Sequence, residues 1–359
     1  MVHDVGSLAA IVAFLVAIMV LAQGCADEGL FDVLGERVSR VAGGSSTRLL
    51  AWSVGLAAAV TAVLSLDATV VLLTPVLIAA SVSATRPHRA HAYASVRLAN
   101  SASTLLPVSN LTNLLVFGST GLTFVGFAWA MLPVWLVAIV AEYGVLRWWF
   151  RVELREPPAG PRGEAYALPL FPLAVVIVVL LALASGTTPW VPAAAGAILV
   201  GGYALVRHRT TWSNLLKAAN LPLAVLVLVW AALVAWLGTT QVGEWFDDVM
   251  PAGAGLGALL LTAFIAMAGA NVVNNLPATL LLLPAAAAAG PAPVLALLIG
   301  VNVGANLTLI GSLANLLWRR SGGQAMSSVR EFHLLGVATT PAIVVICTTV
   351  LWAWTSLIW

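Results

Sequence analysis

Charged side chains are scarce in this chain. Its 359 residues include 16 Lys and Arg and 14 Asp and Glu, 8% in all, where soluble domains carry about a quarter. That scarcity excludes an ordinary solvated surface. Cysteine is nearly absent: Cys25 and Cys347 are too few for a disulfide framework or a multi-thiolate metal site. There is no Gly-Lys-Ser/Thr loop to cradle phosphates, so the chain is not expected to hydrolyse ATP by itself. No intramembrane His cluster, zinc motif or Ser–Lys pair occurs, which argues against a membrane-embedded enzyme and against a cofactor. Nothing suggests a nucleic-acid partner. The first residues lack a basic region and a cleavage site, so no signal peptide is expected.

What the chain has instead is apolar length. It is 61% hydrophobic with a mean hydropathy of +1.02. No Asp, Glu, Lys or Arg occurs from Leu98 to Ala141 or from Val249 to Trp318, and ~20 apolar residues suffice to cross a bilayer. The fold class is therefore all-α, a polytopic membrane protein. Spans are expected at 7–23, 122–146, 168–185, 190–206, 220–237 and 334–357, with amphipathic segments at 29–41 and 210–218. Paired half-segments lie at 49–64 and 70–83, and again at 255–270 and 278–289. A basic, Pro-rich linker at 151–164 marks the middle of the chain, and an acidic loop carries Glu244, Asp247 and Asp248.

Two apolar runs, 92–118 and 292–318, are broken inside. The first contains Pro107-Val108-Ser109-Asn110-Leu111-Thr112-Asn113, and the second breaks near Ile310-Gly311-Ser312. Opened backbone at membrane depth is tolerated only where protein or a cavity satisfies it, and broken spans are where carriers bind their cargo. The two runs also match each other. Asn100/Asn302, Leu105/Leu307, Leu111/Leu313, Asn113/Asn315, Leu114/Leu316 and Leu115/Leu317 are identical pairs at one constant offset. Each copy follows a paired half-segment with similar words, ATVVLLTP and ATLLLLP.

Three units follow: a first repeat at 1–150 with a hairpin at 47–83 and the broken span 92–118; a linker with two linking spans at 151–219; and a second repeat at 220–359 with a hairpin at 253–289 and the broken span 292–318. If each hairpin is re-entrant, the second repeat is inverted and all 16 Lys and Arg fall on one side. The positive-inside rule makes that side cytoplasmic.

The hairpin tips and breaks bring together Ser65, Asp67, Thr69, Ser109, Asn110, Thr112 and Asn113 from the first half. Asn274, Asn275, Thr279, Gly311, Ser312 and Asn315 come from the second, with Asn100 and Asn302 one step earlier in the broken spans. These groups suit a small polar solute; alternatively they only cap and glue half-helices. Asp67 is the one carboxylate placed near the bilayer centre, where an ionisable group is costly enough to be functional by default. It is a candidate proton carrier or cation ligand, or else a fixed cap for the half-helix starting at Ala68; the second tip offers Asn at that place. Glu142 and Arg97 are expected to snorkel to the interface, His88 and His91 to sit in a solvated basic loop, and Trp129, Trp148, Trp149 and Trp318 to anchor at headgroup level.

The words LDATVVLLTP, LANSASTLLPVSNLTNLL, NNLPATLLLLP and GVNVGANLTLIGSLANLLWRR resemble the arsenical pump membrane protein family of the ion transporter superfamily, which also holds dicarboxylate and citrate carriers. The resemblance implies inverted repeats with re-entrant hairpins, an elevator-like or rocking motion, and export of arsenite or antimonite driven by proton entry. It also implies a cytoplasmic ATPase subunit as a candidate partner, and a homodimer is a further candidate. The chain is shorter than the family norm, Ala305 stands where the family usually has proline, and the tips lack the Ser-Asn-Thr words of sodium-coupled dicarboxylate carriers. With two distant cysteines, a three-thiolate arsenite site within one chain is excluded. The expected function is a proton-coupled arsenite/antimonite exporter of a bacterial cytoplasmic membrane. The alternatives are a permease of the same fold for another small anion and a sodium/proton antiporter.

Overall fold

A computed structural model describes residues 5–81, 89–156, 167–237, 240–241, 249–323 and 327–359. His88, the acidic residues at 244–248 and most of the linker at 151–164 lie outside them. Among the described residues there is no strand. Six helices among them are long and apolar enough to cross a membrane, beside shorter apolar helices. The chain is a multi-pass membrane protein.

In order, the chain opens with α1 (Val5–Asp27), α2 (Leu30–Ala42) and α3 (Ser46–Leu64). Then come α4 (Leu66–Ala80, with a π turn at Thr69–Leu73), α5 (Arg89–Ser101), α6 (Leu111–Thr120) and α7 (Phe124–Trp149). The middle is α8 (Leu170–Ala184), α9 (Trp190–Val206), α10 (Trp212–Ala218) and α11 (Leu221–Leu237). The second half ends with α12 (Leu256–Val273), α13 (Asn275–Ala288), α14 (Pro291–Asn302), α15 (Leu313–Trp318) and α16 (Val329–Ile358).

The two paired half-segments become helix pairs that turn on a single residue. Ser65 (φ 124°) joins α3 to α4, and Asn274 (φ 81°) joins α12 to α13. A side chain in that region is strained by ~1–3 kcal/mol, so other contacts must hold it. They do so in the same way twice: Leu66 N–H donates to the Ser109 carbonyl at 3.3 Å, and Asn275 N–H to the Gly311 carbonyl at 3.0 Å. Each tip is thereby tied to the neighbouring broken span. That register matches Asp67 with Leu276, correcting the expectation of an asparagine at the equivalent place.

The broken spans are helix, 3-10 turn, irregular backbone and helix. After α5, a 3-10 turn covers Ala102–Thr104 and α6 begins at Leu111; after α14, one covers Val303–Leu307 and α15 begins at Leu313. New helix starts leave orphan N–H groups, which Asn110 (from Thr112 N, 3.2 Å) and Ser312 (from Asn315 N, 3.3 Å) accept. Gly311 is required by crowding: a Cβ there would lie 2.4 Å from the Ala305 carbonyl oxygen.

At one end of the molecule Arg89 pairs with Glu153 (3.1 Å) and Glu331 (2.8 Å), joining the start of α5 to the turn after α7 and to α16. Beneath it Tyr93, Phe150, Trp318 and Phe332 pack ring against ring.

Candidate functional site

The two tips and the starts of α6 and α15 converge on one cavity of about 250 Å³. Leu66 and Asp67, Leu111 and Thr112, Asn275 and Leu276, and Leu313 and Ala314 line it, each pair from the first turn of a different half-helix. Leu15 of α1 and Leu223, Leu226 and Trp230 of α11 close it with apolar surface. Helix starts are positive dipole ends, but their N–H groups here are mostly taken up by the caps and carbonyls described above.

Five of the sequence-predicted residues line the cavity: Asp67, Asn110, Thr112, Asn274 and Asn275. The Asp67 carboxylate accepts no hydrogen bond from the described residues. The cap of α4 is Ser65, whose Oγ accepts from Ala68 N at 3.4 Å, so Asp67 is not a fixed cap. Asn275 likewise has no side-chain partner among them. Asn274 Nδ2 donates to the Ile310 carbonyl (3.0 Å), and Thr112 Oγ1 donates to Asn302 Oδ1 (2.8 Å). Their remaining oxygen lone pairs, with those of Asp67, make the wall richer in acceptors than in donors. No Lys, Arg or His lines it.

The other predicted residues sit behind this wall, buried and engaged with protein. Ser109 Oγ donates to the Ala62 carbonyl at 2.7 Å. Thr69 hydrogen-bonds Thr61 (2.8 Å), and Thr279 bonds the Asn275 carbonyl (2.7 Å). Gly311 and Ser312 shape the second break. Asn100, Asn113, Asn302 and Asn315 form a buried layer whose bonds are reciprocal. Asn113 Nδ2 donates to the carbonyls of Ser103 (2.6 Å) and Leu106 (2.8 Å), and Asn315 Nδ2 to those of Ala305 (2.9 Å) and Thr308 (2.9 Å). Across the halves, Asn302 Nδ2 donates to Asn113 Oδ1 (2.8 Å) and Asn100 Nδ2 to Asn315 Oδ1 (2.7 Å). Every partner in one contact has its aligned counterpart in the other.

A family model described as "Citrate transporter" matches residues 5–295. Over 336 residues the chain is 30% identical to the arsenical pump membrane protein of Yersinia enterocolitica, an alignment covering 85% of this chain and 77% of that protein. The chain belongs to the citrate transporter and arsenical pump family of membrane transporters. The Escherichia coli (strain K12) arsenical pump membrane protein is also 30% identical, over 339 residues with the same coverage. Inner membrane protein YbiR of that organism is 28% identical over 334 residues, covering 89% of this chain and 81% of its own.

Several side chains of this family member lie where the sequence does not place them. Arg97 (1% exposed) and Glu142 (0%) do not snorkel; they form an ion pair inside the protein. Asp67 is thus not the only carboxylate within the membrane-spanning body. His91 is buried against Ser53 (Nδ1 to Oγ, 3.0 Å) rather than solvated. Trp318 is buried too, its Nε1 donating to the Ala92 carbonyl at 2.8 Å, whereas Trp129 and Trp148 are exposed. Two residues that bind the breaks together escaped sequence reasoning. Asn306 joins Asn100 to Glu142, and Asn271 Oδ1 accepts from both Thr308 N and Thr308 Oγ1. An asparagine inside an apolar run was the available signal for each, but neither has an aligned twin.

Proposed function

We propose that this transporter exports arsenite or antimonite from the cytoplasm in exchange for protons, by alternating access of two inverted repeats in a bacterial inner membrane. The observation that carries the reading is the polar wall of the cavity: a carboxylate, a hydroxyl and three amides with no cation. Arsenite near neutral pH is mainly a neutral, hydroxylated species. Its O–H groups are donors, matching a wall that mostly offers acceptors. A tricarboxylate such as citrate would meet Asp67 without a Lys or Arg to compensate it, so the substrate in the family model's description fits this cavity less well. The names of the two arsenical pump relatives point the same way. Asp67 is the proton carrier in this scheme, being the acidic group that touches the cavity. We read the chain as a carrier and not as an enzyme, with the basic loops cytoplasmic and an ATPase subunit or a second copy of the chain as partners still to be sought.

The test is uptake of labelled arsenite into everted vesicles containing the purified protein. Accumulation is expected with an acid-inside gradient and is expected to stop when the gradient is collapsed. Robust flux of another solute with none of arsenite would sink the substrate and leave the carrier. Asp67→Asn is expected to abolish gradient-driven uptake; an unchanged response to the gradient would remove Asp67 from coupling.

A further inference from the structure

The Arg97–Glu142 pair lies behind the asparagine layer, on the side away from the cavity, and the transport scheme does not use it. Its partners show what it does. Arg97 Nη2 donates to Glu142 Oε1 (3.2 Å) and to Thr339 Oγ1 (3.2 Å), so the pair joins α5, α7 and α16. Glu142 Oε1 also accepts from Ser101 Oγ (2.7 Å) and Asn306 Nδ2 (3.2 Å). A carboxylate facing a guanidinium only accepts, and everything turned toward it must donate. Ser101 therefore commits its proton to Glu142, which leaves its oxygen as an acceptor for Asn306 Nδ2 at 2.9 Å.

The consequence runs on, one amide at a time. With its NH2 turned to Glu142, Ser101 and the Arg97 carbonyl, Asn306 presents Oδ1 to Asn100, whose Nδ2 donates to it at 2.8 Å. The same Nδ2 serves Asn315 Oδ1, itself fixed by two carbonyls. Among the described residues Asn100 Oδ1 is then left buried without a partner, a cost that an amide free to turn would avoid. The Asn100 carbonyl accepts from Ser103 Oγ (2.8 Å), and Ser103 Oγ in turn accepts from Asn110 Nδ2 (3.3 Å). Asn110 stands on the cavity wall. Hydrogen bonds, joined through the backbone of Asn100, thus connect the ion pair through both broken spans to the cavity wall.

We propose that Glu142 is a positioning residue of the transport site: paired with Arg97, it sets the amide direction of Asn306 and Asn100, and through the α5 backbone and Ser103 it braces Asn110 on the cavity wall. The inference rests on the cavity being the transport site, but its structural arm can be tested without any substrate. The proteins to compare are the purified full chain, E142Q, the neutral double variant R97Q/E142Q and the exchange variant E142Q/N306D. The double variant matters because removing both charges of a buried pair is tolerated far better than removing one. In the exchange variant a carboxylate at 306 still offers Asn100 an acceptor and can accept from the amide at 142, at the cost of one oxygen turned toward the Arg97 carbonyl.

Backbone hydrogen exchange is read on peptides spanning 98–117 and 302–317, with 170–206 as the internal reference. R97Q/E142Q is expected to exchange about tenfold faster in both broken spans, including Asn110–Asn113, with the reference unchanged. E142Q/N306D is expected to recover part of the protection. In vesicles, labelled arsenite should show a raised KM in R97Q/E142Q that falls back in E142Q/N306D. Protection unchanged in both broken spans of R97Q/E142Q, or loosening confined to 97–101 and 138–146, overturns the proposal. If the unmodified protein carries no arsenite, the substrate reading alone falls and the exchange data still decide the role of Glu142.

Discussion

The reciprocal contacts make a quantitative prediction: Asn113→Leu and Asn315→Leu should destabilise the protein by nearly the same amount. Leucine keeps asparagine's branching and number of side-chain heavy atoms but is bulkier, so each variant loses the hydrogen bonds and adds an overpacking cost at an equally buried site. Each substitution strips donors from two buried carbonyls, those of Ser103 and Leu106 in one case and of Ala305 and Thr308 in the other. Each also strips the acceptor from one amide, Asn302 or Asn100. Three lost contacts at about 1–3 kcal/mol apiece give an upper range of roughly 3–9 kcal/mol, lowered because the Leu106 and Thr308 carbonyls keep Ser109 N–H and Gly311 N–H. Hydrogen bonds between membrane helices average only about 0.6 kcal/mol because the unfolded chain also finds partners, so we expect about 2–5 kcal/mol for each. Reversible unfolding in mixed micelles, followed by circular dichroism, would measure it. A loss below about 1 kcal/mol in either variant would refute the claim that these amides hold the breaks. So would a threefold disparity between the two, because matching contacts should have matching strengths. Asn113→Asp should be worse than leucine, since it turns a carboxylate toward two carbonyls.

Further expectations concern single positions. Gly311→Ala places a methyl 2.4 Å from the Ala305 carbonyl oxygen and 2.6 Å from Asn271 Oδ1. It should cost about 1–3 kcal/mol, seen as a lower yield of monodisperse protein and a lower melting temperature. Arg89→Ala removes two ion pairs, but the Arg89 side chain is 41% exposed; the loss should stay near 1 kcal/mol or below and shrink in high salt. Leu226 faces the cavity from α11, so Leu226→Trp should obstruct flux while leaving the melting temperature close to that of the unmodified protein.

The helices were legible because apolar runs and breakers carry their own signal. Pro107 to Asn113 marks a break by composition, and the aligned asparagines mark its twin. The tips were legible for the same reason, although only the backbone register shows that Leu276 faces Asp67's place. Side-chain destinations were harder. Arg97 and Glu142 each lie a few residues from a span end, and that proximity favours the interface in any rule based on depth. What decides otherwise is that α5 packs on α7 at a height that brings the two together, and no local pattern encodes that height. His91 and Trp318 were misjudged similarly: each is near a basic stretch, yet each finds a buried partner on another helix. For the site, sequence reasoning found the polar residues but could not separate those on the cavity wall from those in the layer behind it. That division depends on where α1 and α11 close the cavity.

The asparagine layer has one more consequence, concerning energy rather than geometry. A contact repeated under two-fold exchange has the same strength whichever half plays whichever part. Under the proposed alternating access, two conformations that differ only in which half is open to which side would therefore be equal as far as the Asn100–Asn315 and Asn302–Asn113 contacts are concerned. Any bias between them must come from groups that have no twin. Asp67 is matched by Leu276, and α16 carries no carboxylate beyond Glu331 to answer Glu142. In that scheme the resting state is set by the unmatched groups, Asp67 and Glu142 together with Arg97, Asn271 and Asn306, against the balance of the paired contacts.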